Sequence, residues 1–314
     1  MSDHPHPHPK SLATRRQVFL GGSALAVASG LASWWRYSSA AQVMPEPPDD
    51  RPLMTGRAPA IFIGHGSPMN AIQDNDFTRT LRQWGRDLGL PKAILVVSAH
   101  WLTERGVQVS VAPRPVTIHD FGGFPAELHA QRYPAAGAPE VAQRAAARLG
   151  PQRVGLSERG LDHGAWTVLH HLYPSANVPV FQWSIDITRD GAYHLGVGRA
   201  LAALRDEGVL ILGSGNVVHN LGDTMRDEIA SPRGLTRWAD EFDQRVKQAI
   251  DAGDTRALAG YDKLTAEALH AVPFPDHYFP LLYAMGAAQT GERARHVFEG
   301  FQSGTLSMRC VQWS

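Results

Sequence analysis

The sequence predicts a single α/β domain in which helices flank a largely parallel central sheet. Short apolar runs, many of them β-branched, alternate with stretches of helical periodicity from about residue 60 onward. Strands that are apolar at every position are typical of parallel sheets covered on both faces. No internal repeat or second change of composition divides this part of the chain, so the pattern predicts one domain over residues 59–314.

The predicted elements alternate along the chain. The apolar runs predict strands at 60–64, 93–97, 107–111, 178–184 and 208–213. Amphipathic or apolar stretches of greater length predict helices at 76–88, 138–149, 163–172, 192–205, 235–252 and 277–288. In open α/β sheets ligands bind at the carboxyl ends of the strands, and a functional site is expected there.

Residues 1–41 have the features of an export signal. Arg15 and Arg16 precede a Gly- and Ala-rich apolar run that ends at Trp35, and small residues at 39–41 suit a signal peptidase. Paired arginines before such a run are typical of a twin-arginine signal. This interpretation predicts recognition by the export machinery and a periplasmic enzyme.

Two alternatives for the amino-terminal region stay open. If it is not cleaved, the apolar run at 18–35 is just long enough to anchor the protein in the inner membrane. If translation starts at Met54, the enzyme is cytoplasmic. Residues 42–58 are rich in proline and polar residues and are predicted to be a linker.

Charge and cysteine content exclude several kinds of function. Lys+Arg and Asp+Glu both number 30 and no basic stripe is present, which argues against a nucleic-acid partner. The single cysteine, Cys310, excludes an intramolecular disulfide and a thiolate-rich metal cluster. The chain contains 15 histidines, so imidazole would have to supply most ligands of any bound metal.

Three histidines follow predicted strands. His65 comes directly after the strand at 60–64, His100 follows the apolar run at 93–97, and His219 lies in a turn six residues after the strand at 208–213. A single histidine at a strand end is more often a hydrogen-bonded structural residue than a ligand. Three at equivalent positions of one sheet favour a metal site.

Three further histidines are candidates for the same site. His277 stands at the start of an apolar helix, where Asp276 would either cap the helix or bond the ring. His163 also stands at a predicted helix start, where the positive end of the helix dipole favours neutral imidazole. His119 lies in a Gly- and aromatic-rich loop of the kind that lines an aromatic-substrate pocket. The remaining histidines of the predicted domain are interpreted as structural (129, 170, 171, 194, 270 and 296).

The common catalytic motifs are absent from the sequence. There is no His-Glu-x-x-His, no Gly-Lys-Ser/Thr phosphate loop, and no third glycine after Gly64 and Gly66 for a dinucleotide fingerprint. Leu212 occupies the position where a nucleophile elbow around Ser214 requires glycine. These absences argue against a zincin protease, a nucleotide-binding enzyme and a serine hydrolase.

Six short blocks together resemble the extradiol DOPA 4,5-dioxygenase family, which belongs to the class III extradiol ring-cleaving dioxygenases. The blocks appear in family order: G-H-G-S-P-M-N at 64–70, S-A-H-W at 98–101, I-H-D-F-G-G-F-P at 118–125, D-H-G-A-W at 162–166, S-G-N-V-V-H-N at 214–220 and P-D-H-Y at 275–278. Each is short, but their order makes the resemblance specific. It spans about 60–312, and only the amino-terminal leader falls outside it.

The resemblance implies a metal site and an activity. Its metal ligands would be His65, His100 and His219, with His277 as a further ligand or close neighbour. The expected cofactor is non-haem Fe(II), although zinc is often found in bacterial relatives and imidazole suits both metals. Many class III enzymes use two histidines and a glutamate, and this site departs from them in being all histidine.

The resemblance also implies the reaction. A catechol, DOPA-like, and O2 would be the substrates, and ring opening beside a hydroxyl-bearing carbon would give a muconic semialdehyde. His163 corresponds to the acid/base histidine of the family, and His119 is a substrate-binding candidate. Two alternative functions stay open: a zinc-dependent hydrolase on the same histidine cluster, and a metal-binding protein suggested by the His-Pro tract at 4–9. That tract precedes the signal and would be lost on export, which argues against the second.

Overall fold

A computed structural model describes residues 49–150, 153–223 and 236–314. The predicted signal or anchor at 1–41 and residues 42–48 of the predicted linker lie outside the described residues. The described residues belong to one compact unit. Among the described helices, none has both the length and the apolar character that crossing a membrane requires.

The described part of the predicted linker is attached to the domain. Arg51 donates hydrogen bonds to the carbonyl oxygens of Gly85 (2.6 Å) and Leu172 (2.9 Å). Leu53 forms a parallel bridge with Leu90. These contacts place residues 51–53 against the domain, and the linker at 42–58 stays a prediction.

An eight-stranded sheet forms the centre of the domain, and a separate ribbon has two strands. The described strands are β1 (Ala60–Gly64), β2 (Ala93–Thr103), β3 (Val107–Ser110), β4 (Val154–Ser157), β5 (Val180–Asp186), β6 (Val209–Gly215), β7 (Ala294–Phe298), β8 (Phe301–Gln302), β9 (Leu306–Ser307) and β10 (Cys310–Trp313).

The strand order in the large sheet is β4-β3-β5-β2-β6-β1-β10-β7. Strands β5, β2, β6 and β1 pair in parallel, β4 pairs in parallel with β3, and β3 meets β5 antiparallel. At the other edge β10 pairs antiparallel with both β1 and β7, and β8 with β9 forms the separate ribbon.

Helices cover both faces of the sheet. The α-helices are α1 (Asp76–Leu88), α2 (Ala126–His129), α3 (Pro139–Leu149), α4 (His163–Leu172), α5 (Gly191–Leu201), α6 (Arg237–Asp251), α7 (Thr255–Ala259), α8 (Ala268–Ala271) and α9 (Phe279–Ala287). Short 3-10 helices lie at Pro68–Ala71, Ala202–Glu207 and Tyr261–Lys263. The predicted fold class, a mixed α/β domain with a largely parallel sheet, is confirmed.

Successive residues of a strand belong to different apolar layers. Ala60 and Phe62 of β1 pack in the layer that contains α5, α6 and α9, whereas Ile61 and Ile63 pack in the layer that contains α1 and α4. Because side chains alternate between the two faces of a strand, both faces of β1 must be apolar. This two-sided burial explains the unbroken apolar runs and holds the strand ends in place beneath the site.

Two features of the sheet differ from the predictions. Strand β2 continues through Ser98 to Thr103, so His100 lies within the strand instead of just beyond its end. Its pairing with β5 changes register between Val97 and Leu102, and this irregularity reorients the chain around His100. The strands after residue 290 and β4 were not predicted, because they are short and only part of each is apolar.

Candidate active site

His65 is held at the carboxyl end of β1 by Ser214 of the neighbouring strand β6. The Ser214 hydroxyl donates its hydrogen to the carbonyl oxygen of Gly164 (2.6 Å), so towards His65 Nδ1, 3.0 Å away, it can only accept. Nδ1 of His65 therefore carries the ring hydrogen. In the neutral ring, Nε2 is left with a free lone pair, and it lies 3.1 Å from Nε2 of His100.

His277 completes a group of three imidazoles with His65 and His100. One ring nitrogen from each lies within 4.8 Å of the others. His277 occupies the turn before α9, and its backbone carbonyl accepts a hydrogen bond from the Asn216 backbone N–H (2.8 Å) at the end of β6. The turn that carries His277 is thus fastened to the same strand end that positions Ser214.

His219 contacts this group through His277. Their rings are stacked with centroids 3.5 Å apart and planes only 4° from parallel. One possible ligand atom of His219 lies within 4.8 Å of ligand atoms of Asp276 and His277. His219 does not form such a group with His65 and His100. His219, which the sequence predicts as a principal ligand, thus shares a candidate ligand group with His277, and the ligand roles of both stay predictions.

One interpretation of the sequence expected Asp276 to cap helix α9, but Asp276 does not occupy the cap position. The cap position is Tyr278, and it makes no side-chain cap hydrogen bond. Asp276 Oδ1 instead accepts the His277 backbone N–H (2.7 Å). The same oxygen is 3.0 Å from His277 Nδ1, yet in the described part of the chain this buried ring nitrogen makes no hydrogen bond.

The residues present fit a metal ion. The lone pair of His65 Nε2 faces Nε2 of His100 at 3.1 Å, and a ring nitrogen of His277 lies within 4.8 Å of a ring nitrogen of each. A single cation placed among them would be a partner for all three. An all-imidazole set suits iron and zinc alike. The site residues His65, His100 and His277 therefore provide the donor chemistry that a divalent transition metal requires.

Burial keeps the imidazoles of His65, His100 and His219 neutral. Burial lowers the pKa of His65 and His100 well below the ordinary value of 6.5, and the neighbouring imidazoles lower it further. Burial, followed by the proximity of His277, lowers the pKa of His219 to about 3. Neutral imidazole is the form that binds a metal, so protons do not compete for these nitrogens near neutral pH.

Acidification should therefore destabilise the metal-free protein. In the folded state the pKa values of His65, His100 and His219 are depressed, and burial also lowers those of His170 and His194 to about 4. Below about pH 6.5 the unfolded chain binds protons that the folded chain does not, so the free energy of unfolding falls as the pH falls. Well below pH 6.5 each such group contributes a loss of about 1.4 kcal/mol per pH unit.

Urea unfolding of the metal-free protein at pH 7, 6 and 5 tests this expectation. The His194→Gln variant lacks one of the five groups and should take up about one proton fewer on unfolding. Its free energy of unfolding should therefore depend less steeply on pH. A free energy of unfolding that stays constant or rises between pH 7 and 5 would contradict the expectation.

His163 is the first residue of α4, as predicted, and its ring lies against the cluster. Its centroid is 3.8 Å from that of His100 and 5.7 Å from that of His65. The start of the helix is fixed by its cap, Asp162, whose buried carboxylate also accepts hydrogen bonds from Ser98 Oγ (2.6 Å) and Gln182 Nε2 (2.7 Å). These bonds tie α4 to strands β2 and β5, which places His163 beside His100.

Asp120 is a site residue that the sequence analysis did not identify. Its Oδ1 accepts from both the ring Nδ1 (2.9 Å) and the backbone N–H (3.0 Å) of His163. Burial would raise the pKa of the Asp120 carboxyl, but the hydrogen bonds from the ring and the backbone N–H of His163 counteract burial, and the pKa is lowered. The signal was a carboxylate directly after His119, a histidine that had already been identified as a candidate.

His119 lies in an aromatic group next to the cluster and not within it. Its Nε2 faces the backbone carbonyl of Gln131 at 3.0 Å, and its ring contacts Phe121 and Trp166 with centroids 5.7 and 5.5 Å away. Phe121 connects this group to the cluster, because its ring meets that of His163 at 5.5 Å and nearly at right angles. A substrate-binding role for His119 stays a prediction.

Gly215 permits the close approach of the turn that carries His277. A Cβ at this position would lie 2.1 Å from the backbone carbonyl oxygen of His277, which no alanine can accommodate without moving the turn. Gly215→Ala should therefore displace His277, reduce metal retention and destabilise the protein by roughly 1–3 kcal/mol. Elemental analysis and thermal unfolding measure the two effects.

Gly196 provides the matched control for Gly215→Ala. It lies within helix α5, and a Cβ there would meet no atom within 4 Å. Gly196→Ala should keep metal retention unchanged and stabilise the helix by up to about 1 kcal/mol. Equal metal loss in the two variants would show that the contact at Gly215 does not position His277.

Comparison with known proteins identifies the family. Residues 58–308 match the family described as the catalytic LigB subunit of aromatic ring-opening dioxygenase. The chain belongs to this family. The match spans nearly all of the described domain, including the six blocks on which the resemblance rested, and the predicted family is confirmed.

Relatives of this LigB-family chain carry names for the same chemistry. It is 45% identical to the 4,5-DOPA dioxygenase extradiol of Escherichia coli strain K12 over 265 residues, which cover 83% of this chain and 96% of the relative. It is 40% identical to the 4,5-DOPA dioxygenase extradiol of Beta vulgaris over 253 residues, 78% of this chain and 92% of the relative. A crystal structure of an uncharacterized protein from Escherichia coli K12 superposes with a TM-score of 0.70 at 39% identity, covering 82% of this chain and 99% of that one.

The LigB-family chain is an extradiol ring-cleaving dioxygenase. The family and these relatives agree on this class of enzyme, and neither favours the zinc-hydrolase alternative. The candidate active site is the histidine cluster that lies beside the carboxyl ends of β1 and β6, with His100 from within β2 and His277 from the turn before α9.

Proposed function

We propose that this dioxygenase acts on a DOPA-like catechol with a non-haem metal held by His65, His100 and His277, and releases a muconic semialdehyde. The observation that carries the proposal is the convergence of these three imidazoles within 4.8 Å. The names of the relatives from Escherichia coli and Beta vulgaris support DOPA as the substrate class. His219, stacked on His277, would hold that ring in its coordinating orientation or serve as a fourth ligand.

Fe(II) is the proposed active metal, with Zn(II) able to occupy the same imidazoles in isolated protein. Bound Fe(II) would supply the electron transfer that allows O2 to react with a catechol. His163 would take the proton of a catechol hydroxyl and return a proton as the ring opens. Phe121, edge-on to His163, would exclude water on one side of that ring.

Oxygen consumption tests the proposal. The protein is stripped of metal, reloaded anaerobically with Fe(II) or Zn(II), and assayed with a panel of catechols that includes DOPA and protocatechuate. We expect O2 uptake equal to the catechol consumed and a yellow product with the Fe(II) protein alone. When the reaction is run under isotopically labelled O2, the product should contain both labelled oxygen atoms. Absence of uptake with Fe(II) demonstrably bound would contradict the proposal.

We also propose that the enzyme is exported in folded form to the periplasm, on the sequence of residues 1–41 alone. Arg15→Lys and Arg16→Lys together should keep the full chain in the cytoplasm, because twin-arginine export depends on the arginine pair. Cell fractionation followed by immunoblotting measures the distribution. Unchanged distribution in the double variant would argue for the anchored or cytoplasmic alternative.

A further inference from the structure

Asp120 occupies a position that determines how His163 is presented to the site. One carboxylate oxygen, Oδ1, receives both the ring Nδ1 and the backbone N–H of His163, at 2.9 and 3.0 Å. The other oxygen, Oδ2, lies 3.9 Å from Nδ1 of His100. A single carboxylate therefore faces two imidazoles of the cluster.

The segment that carries Asp120 is itself fixed. The indole N–H of Trp166 donates to the carbonyl oxygen of Ile118 (2.8 Å), and the Ile118 N–H donates to the carbonyl oxygen of Leu161 (2.7 Å). Both contacts connect the segment to α4 or to the residues just before it. Asp120 and His163 are thus parts of one hydrogen-bonded unit, and the carboxylate does not depend on a free loop for its position.

The carboxylate selects one tautomer of the ring. A carboxylate accepts hydrogen bonds and has no hydrogen to donate, so the His163 nitrogen facing it must carry the ring hydrogen. In neutral imidazole only one nitrogen is protonated, and Nε2 is then the nitrogen that can take a proton. Phe121 packs edge-on against the ring and His100 lies 3.8 Å away by centroids, so the ring is held between Phe121, Asp120 and His100.

We propose that Asp120 is the positioning residue of His163: it fixes the ring orientation and the Nδ1–H tautomer, so that Nε2 is free to exchange a proton with the substrate. The proposal rests on the proposed acid/base role of His163. It deepens the proposed function by naming the group on which that role depends.

Histidine tautomers are measured directly by NMR. In zinc-loaded protein with ¹⁵N-labelled histidine, long-range ¹H–¹⁵N spectra distinguish protonated from bare ring nitrogens, and the missing signals of a His163→Gln variant assign the His163 pair. We expect a protonated Nδ1 and a bare Nε2 in the unmodified protein. In Asp120→Ala this pattern should be lost, giving a mixture of tautomers.

Steady-state kinetics of the Fe(II) protein provide the second measurement. Asp120→Asn, which keeps the side-chain volume, and Asp120→Ala should lower kcat roughly 10- to 100-fold, the usual effect of losing a partner of a site histidine, with KM and metal content unchanged. Asp120→Glu should recover part of kcat because it restores a carboxylate. Glu127→Gln is the matched control, since that carboxylate lies in the same region but is exposed, and its kcat should not change.

The outcomes separate this proposal from the proposed function. If the unmodified enzyme consumed no O2 while Asp120→Ala still lost the Nδ1–H tautomer, the proposed reaction would fail and the positioning role would stand. An unchanged tautomer in Asp120→Ala, or an unchanged kcat, would overturn the positioning role. Loss of metal from the Asp120 variants would also overturn it, because the carboxylate would then act by holding His100.

Discussion

Replacing His277 by alanine should leave the protein without stoichiometric metal and reduce ring cleavage to the background rate. His277 is one of three imidazoles whose nitrogens converge within 4.8 Å, and its side chain is buried. Removal of a ligand should cost more than the roughly 10- to 100-fold loss of affinity caused by removal of an outer partner. Elemental analysis after dialysis and oxygen uptake with DOPA measure both effects.

His219→Ala is the informative comparison. His219 stacks on His277 but does not group with His65 and His100, so this variant should retain metal with reduced affinity. His296→Ala is the control, since His296 lies on edge strand β7 and bonds Asp251, and it should retain full metal content. Stoichiometric metal and full activity in His277→Ala would remove His277 from the ligand set and restore His219 as the third ligand.

The interior of the fold is predictable because its signals are local. The run from Ala60 to Gly64 is apolar at every position and followed by glycine and histidine, and strand β1 has those bounds. Helix α1 has a capping box at Asn75 and Thr78, and helix α4 has Asp162 as its cap, so both begin where predicted. Helix capping and continuous apolar runs depend on neighbouring residues alone.

The sheet edges were not predictable from such signals. Strand β10 pairs antiparallel with β1 although some 245 residues separate them in the chain, and its partner β7 is only partly buried. Pairing of that kind is decided by the assembled sheet and not by local composition. The continuation of strand β2 beyond Val97 was also not predictable from local sequence, because it depends on the pairing of Leu102 with Ile185 of β5.

At the site, sequence position identified histidines that lie together, but not the contacts that orient them. His65, His100, His163, His219 and His277 do lie together. His277 faces His65 because the turn before α9 is hydrogen-bonded to the end of β6. The sequence alone does not show that contact between distant segments. Asp120 and Ser214 were missed as partners because hydrogen bonds between distant segments determine their roles.

His163→Gln should lower the turnover of the Fe(II) enzyme roughly 10²- to 10⁴-fold, which is the usual contribution of an acid–base residue. His163 is held at the start of α4 with its ring 3.8 Å from that of His100 by centroids. Glutamine keeps a polar side chain there but cannot exchange a proton near neutral pH. Metal content should stay equal to that of the unmodified enzyme, since the three converging imidazoles are untouched.

The metal content and the rate together decide the role of His163. His119→Gln is the matched control, because His119 belongs to the adjacent aromatic group and its Nε2 faces a backbone carbonyl. A smaller loss of activity is expected in His119→Gln, expressed mainly in KM if His119 contacts substrate.

A near-normal kcat in His163→Gln with full metal would show that another group transfers the proton. A low rate accompanied by metal loss would instead place His163 among the ligands, because its ring lies as close to His100 as any other in the cluster.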